Sequence, residues 1–130
     1  MAVGVLLLTH VSLGRELLHA AQCIMPHTKL NTRSLSVAAD EDMSTLGPVL
    51  RQQLETLDHG DGVLILSDLY GATPSNMALE MHRQGAHVAC VSGANLPMLL
   101  RIYNYADKPL AELAGIAASG GRRGVTLNHA

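Results

Sequence analysis

The sequence predicts an α/β sandwich on a mainly parallel sheet, and three observations predict it. Apolar runs of strand length occur that do not alternate with polar residues, the mark of strands covered on both faces. Stretches with helical spacing of apolar residues separate those runs. No internal repeat, low-complexity segment or linker interrupts the pattern, so residues 1–130 read as one domain.

In chain order, Ala2–Leu8 (AVGVLLL) reads as the first strand. Leu13, Leu17, Ala20, Ala21 and Ile24 share one helical face, and Ser34–Ala38 follows as a second strand. Leu46, Leu50, Leu54 and Leu57 mark the second helix, with N-cap candidates in Asp40–Ser44. Val63–Leu66 (VLIL) is the third strand. A third helix should open near Thr73–Pro74, because Thr caps well and Pro suits the first turn, and should end before Gly85. His87–Val91 (HVACV) is the fourth strand. Leu96–Ala106, opened by Asn95 and Pro97, reads as a fourth helix. Pro109–Ala118 reads as a fifth, stopped by Gly120 and Gly121, and Gly124–Leu127 as a short final strand.

Composition excludes several classes. Hydrophobic residues make up 48% of the chain, yet Phe and Trp are absent and only three Tyr occur. Leu, Val, Ile, Ala and Met must therefore fill the core. Nine basic and eleven acidic side chains give a formal charge of -2, no footprint for nucleic acid. Cys23 and Cys90 are too few for a disulfide framework or zinc ribbon and read as buried thiols in a reducing compartment. The opening run is too short to span a bilayer and lacks a signal peptide's basic flank and cleavage site. A soluble, cytoplasmic protein without membrane insertion is expected.

Open parallel sheets bind ligands beyond the carboxyl ends of their strands. Thr9-His10 follow the first strand, Ser67-Asp68 the third and Ser92-Gly93 the fourth. With strand order 2-1-3-4, His10 faces Asp68 across the switch point. A neutral imidazole is a nucleophile at neutral pH, and a carboxylate on one ring nitrogen fixes the tautomer that frees the other. The loop holding Gly71, Ala72, Thr73 and Asn76 offers a hydroxyl and backbone N–H groups near a helix start, a natural phosphate cradle. Each of these residues taken singly is a common turn former or cap; their convergence on one sheet edge is the signal.

At these residues the sequence resembles the IIA domains of the mannose/fructose-type branch of the bacterial sugar phosphotransferase system. The strand ending in Thr9-His10, the segment Gly62–Asn76 (GVLILSDLYGATPSN), the segment Val91–Leu99 (VSGANLPML) and the tail Gly120–Val125 (GGRRGV) carry the resemblance, in order along nearly the whole chain. It implies that His10 is phosphorylated by the carrier HPr and passes the group to a IIB protein or domain. Asp68 would orient the imidazole, and Thr73 would hydrogen-bond the phosphate. It also implies a four-stranded parallel sheet of order 2-1-3-4 with an antiparallel C-terminal edge strand, matched by Gly124–Leu127 and exchanged within a homodimer; by strand content alone, a short tail lying on its own sheet is equally acceptable.

The chain departs from the family pattern in two places. Val11 stands where the family usually has Gly directly after its histidine, so the loop there is expected to differ in shape. Ser75 stands where the family often has Phe, which removes an exposed apolar contact.

A regulatory module, whose phosphorylation state controls a partner without onward transfer, would need the same site. A receiver domain is rejected, since it carries acids after the first strand and a Lys after the last parallel one. A hydrolase using His10 would need more than Asp68.

The other histidines, His19, His27, His59, His82, His87 and His129, have no metal-ligand spacing, so neither metal nor cofactor is expected. Met25, Met77 and Met81 read as core filler. Met98, with Pro97 and Tyr70, is a candidate partner surface. Arg122 and Arg123 suit a helix C-terminus.

Overall fold

A computed structural model describes residues 2–38 and 40–129. Four parallel strands, β1 (Gly4–His10), β2 (Thr32–Val37), β3 (Val63–Ser67) and β4 (Val88–Ser92), form one sheet in the order β2-β1-β3-β4. Five helices connect and cover them: α1 (Leu13–Ile24), α2 (Met43–Leu57), α3 (Thr73–Arg83), α4 (Leu96–Tyr103) and α5 (Leu110–Arg123). Among the described residues no helix is long and apolar enough to cross a membrane.

The non-alternating runs follow from the layering. Val5 and Leu7 of β1 and Leu64 and Leu66 of β3 point to one face, packed with α4 and α5 residues Leu99, Ile102 and Leu113. Leu6 and Leu8, with Val63 and Ile65, point to the other, against Leu50, Leu54 and Leu57 of α2 and Met77 and Met81 of α3. Each fully buried Leu or Ile contributes about 1.5–3 kcal/mol.

Element ends differ from the sequence reading for identifiable reasons. β1 runs two residues further, because Thr9 and His10 still pair with Ser36 and Val37 of β2; His10 is thus the last strand residue. β2 begins at Thr32, two residues earlier than expected, and β4 extends to Ser92, paired with Ser67. Asp42 caps α2, its carboxylate accepting from the Thr45 N–H at 3.1 Å. Thr73 does not cap α3; Ala72 occupies the cap position in extended backbone, and Thr73 is the first helical residue. α4 ends at Tyr103 rather than Ala106, where the Asn104 N–H folds back onto the carbonyls of Leu100 and Arg101.

The fifth helix is the largest correction. It does not stop at Gly120 and Gly121 but runs through them to Arg123. Both glycines are buried against α4: a Cβ on Gly120 would lie 2.6 Å from Arg101 Cγ, and one on Gly121 2.7 Å from Met98 Cε. They are present because two helices touch there. The expected final strand Gly124–Leu127 is therefore not formed in the single chain: Gly124 caps α5 and residues 125–129 follow without regular structure.

Burial corrects three further expectations. Cys23 is exposed, while Cys90 is half-buried and its thiol is pushed up to about 11 by burial. Met98 is buried, packed in the core with Leu99 and Ile102, and so offers no outer surface. Ser75 is buried as well, so its position is not an exposed contact.

Candidate functional site

Because β1 and β3 are adjacent and parallel, with Leu8 opposite Ser67, the two residues that leave their carboxyl ends meet. Asp68 Oδ2 accepts from the His10 backbone N–H at 3.0 Å and lies 2.9 Å from His10 Nδ1. The Asp68 side chain is 9% exposed and the His10 ring 35%, so the carboxylate is screened from water while the ring is accessible. Asp68 Oδ1 is buried without a partner among the described residues.

Burial pushes the Asp68 carboxyl up, but the hydrogen bonds from the His10 backbone and ring, with the electrostatic pull of that ring, outweigh it. The carboxyl therefore lies below its ordinary 3.8. An ionised carboxylate can only accept, so Nδ1 carries the proton that bonds it. Nε2, on the far edge of the imidazole, keeps its lone pair.

Neighbouring groups fix this end of the sheet. Thr9 Oγ1, buried, accepts from the Gly14 N–H at 2.7 Å and ties the end of β1 to the first turn of α1. The loop after Asp68 turns at Gly71, whose φ of 82° is left-handed and open to glycine. Asn76 Nδ2 donates to the Gly71 carbonyl at 3.2 Å and closes that loop on the start of α3. Thr73, half-buried, lines a groove of about 690 Å³ between α2 and α3 with Asn76, Met43 and Arg51.

Three hydroxyls that sequence reasoning missed lie beneath the loop. Ser67 Oγ donates to Ser92 Oγ at 2.9 Å, and Ser75 Oγ lies 3.1 Å from Ser92 Oγ. They link the ends of β3 and β4 to the first turn of α3. Serines at strand ends read as turn formers, and only the register that sets Ser67 beside Ser92 brings them together.

The segments that follow His10 and Asp68 expose apolar side chains. Val11, Leu13, Leu69 and Tyr70, from the segments that follow β1 and β3, are all exposed. Pro97 is exposed on α4. The loop after His10 does not avoid the left-handed region: Val11 adopts it, with φ 50°. A pocket of about 450 Å³ lies at the opposite end of the sheet, among Leu54, Val63, Met81, His87 and Val88, away from this pair.

Fold and site together define an α/β protein with a histidine–carboxylate pair on the carboxyl edge of a parallel sheet. Residues 4–115 match the family described as PTS system fructose IIA component, EIIA-man, and the chain belongs to that family. It is 29% identical over 127 residues to the PTS system mannose-specific EIIAB component of Escherichia coli. That match takes in 96% of this chain and 39% of the relative, so the chain spans about two fifths of the curated protein's length. Among solved structures, it is similar to the mannose/sorbose specific IIA subunit of the phosphotransferase system from Enterococcus faecalis. There the TM-score is 0.86 and the identity 25%, over 100% of this chain and 97% of the other. A PTS IIA protein associated with the fucose utilization operon of Streptococcus pneumoniae gives 0.79 and 25%, over 98% and 96%.

Proposed function

We propose that this chain is a phosphocarrier of the sugar phosphotransferase system, taking a phosphoryl group from phospho-HPr onto His10 and passing it to a IIB protein in the cytoplasm. The observation that carries the reading is the 2.9 Å contact of His10 Nδ1 with Asp68, which leaves Nε2 as the nucleophile. As the P–Nε2 bond forms, the P–N bond to the donor ring breaks and its electron pair returns to that ring. Nδ1 keeps its proton, and the positive charge gained by the imidazole is held against the Asp68 carboxylate. Onward transfer is the same step reversed toward a new ring.

Thr73 would donate its hydroxyl to the phosphoryl oxygens, and the backbone N–H of Gly71 would face them at the start of α3, whereas the Ala72 N–H already donates to the Leu69 carbonyl at 3.4 Å and shapes the loop instead. Asn76 serves by closing the loop on Gly71. Tyr70 would meet the partner, as would Pro97.

The reading includes a homodimer. β4 is an outer strand with one edge unpaired, and a groove of about 600 Å³ lies along it, lined by Cys90, Val91, Ser92 and Val125. Residues 125–129 carry the exposed apolar side chains Val125 and Leu127. The tail of one copy would supply the missing strand to the other.

Incubation with phosphoenolpyruvate, enzyme I and HPr tests the assignment. Acid-labile phosphate is expected on His10 and absent from His10→Ala. Label elsewhere, or none on the folded protein, would refute it.

A further inference from the structure

We infer that Val11 is a specificity-determining contact, selecting which phosphocarrier protein can dock on His10; this rests on the phosphocarrier reading above. Val11 has φ 50°, where a β-branched side chain is rare and strained and where glycine or asparagine sits with little penalty. Its side chain gains little inside the chain in return, since the residue is 73% exposed. The backbone is held there by other groups. The Val11 N–H donates to the Val37 carbonyl at 3.4 Å, and the His10 N–H before it donates to Asp68. An apolar group kept at a conformational cost, facing outward beside the reacting residue, has its use outside the molecule.

The occupant that fits is a protein bearing a phosphohistidine on an apolar face, namely HPr. To bring its P–N bond in line with Nε2, the donor must cover the surface next to the His10 ring. Of the segments that leave the ends of β1 and β3 there, one exposes Val11 and Leu13 and the other Leu69 and Tyr70. The Asp68 carboxylate is turned to His10 and screened from water, and Arg15 and Glu16, further along the same segment as Val11, pair with each other at 3.7 Å. A highly charged donor face would be desolvated here without a partner.

The test compares wild type with Val11→Gly, Val11→Asn and Val11→Ile. Gly and Asn accept the backbone and remove the apolar contact; Ile keeps both features of Val. Transfer from purified phospho-HPr is measured against direct labelling by phosphoramidate, which needs no docking surface. For Gly and Asn, KM for phospho-HPr is expected to rise about tenfold to a hundredfold, the contact worth of one buried Val. The ratio of carrier to phosphoramidate rates should fall in step, thermal midpoints should hold or rise, and Ile should behave as wild type. An unchanged KM in Gly and Asn, or a fall in their thermal midpoints matching the loss of transfer, would overturn the inference. Wild type that takes no label on His10 from either donor would overturn the phosphocarrier reading itself.

Discussion

Asp68 accepts two hydrogen bonds from one residue, and its charge and its shape can be separated. Asp68→Asn keeps an acceptor of the same size for the ring proton but loses the negative charge opposite the phosphorylated imidazole. His10 labelling by phospho-HPr is expected to slow about 10–100-fold with the fold intact, the usual loss when a histidine's orienting carboxylate is changed. The carboxyl also makes stability depend on pH. Its native pKa is below the ordinary 3.8, so its contribution is complete above that value and is lost as pH falls through the native one. The difference in thermal midpoint between wild type and Asp68→Asn should therefore shrink as pH drops below about 4; a constant difference from pH 6 to 2 would contradict this. The serines make a second case. Ser92→Ala leaves the buried hydroxyls of Ser67 and Ser75 without their common partner, at about 1–3 kcal/mol in urea unfolding. Replacing all three by Ala should cost less than the sum of the single changes, because no orphan remains. His10 and Asp68 were legible because polar residues that end apolar parallel strands converge on one sheet edge. The serine chain and the left-handed Val11 were not, since the first needs the register of β3 against β4 and the second opposes local preference.

At the scale of elements, Gly120 and Gly121 distinguish helix propensity from packing. Either Gly→Ala change gains about 1 kcal/mol of propensity inside α5. A Cβ on Gly120 would meet Arg101 Cβ at 2.7 Å as well as Cγ, atoms near the backbone of α4, and that side chain is held with its guanidinium 4.9 Å over the Tyr105 ring. The helices would have to part, at about 1–3 kcal/mol. A Cβ on Gly121 meets chiefly Met98 Cε, the mobile end of a flexible chain. Gly121→Ala should hold or raise the thermal midpoint and Gly120→Ala should lower it; equal midpoints would refute the contact argument. The same pair shows why the sequence reading ended this helix early. Two glycines after a helical stretch are the usual stop signal, and only the approach of α4 turns them into interior residues. Every strand and helix before them was legible from spacing, because β1 and β3 are covered on both faces and the helices on one. Strand ends were displaced because burial marks where a chain is covered, whereas pairing with a neighbour sets where a strand ends.

For the whole molecule, the sheet order decides what must happen at its rims. β1 and β3 are central and buried throughout except at His10, whereas β4 is half-buried along most of its length and unpaired on one side. A parallel sheet with an open apolar edge is a site for another strand. The chain's own residues 125–129 carry apolar side chains into solvent after a turn in which the Val125 N–H donates to the Arg122 carbonyl at 3.3 Å. Exchange between two copies, as proposed above, would pair each open edge with a tail and cover both apolar surfaces at once. Sedimentation at micromolar concentration is expected to give a dimer for the full chain and a monomer of lower thermal midpoint after deletion of residues 125–130. Leu127→Asp should shift the equilibrium the same way, since a charge would then enter the groove beside Cys90 and Val91. His10, Asp68 and the loop from Gly71 to Asn76 all come from one chain, joined by contacts the tail does not make. The truncated monomer should therefore still take phosphate on His10 at temperatures where it is folded. A full-length chain that sediments as a monomer would mean that the β4 edge is left open or is covered by the molecule's own tail.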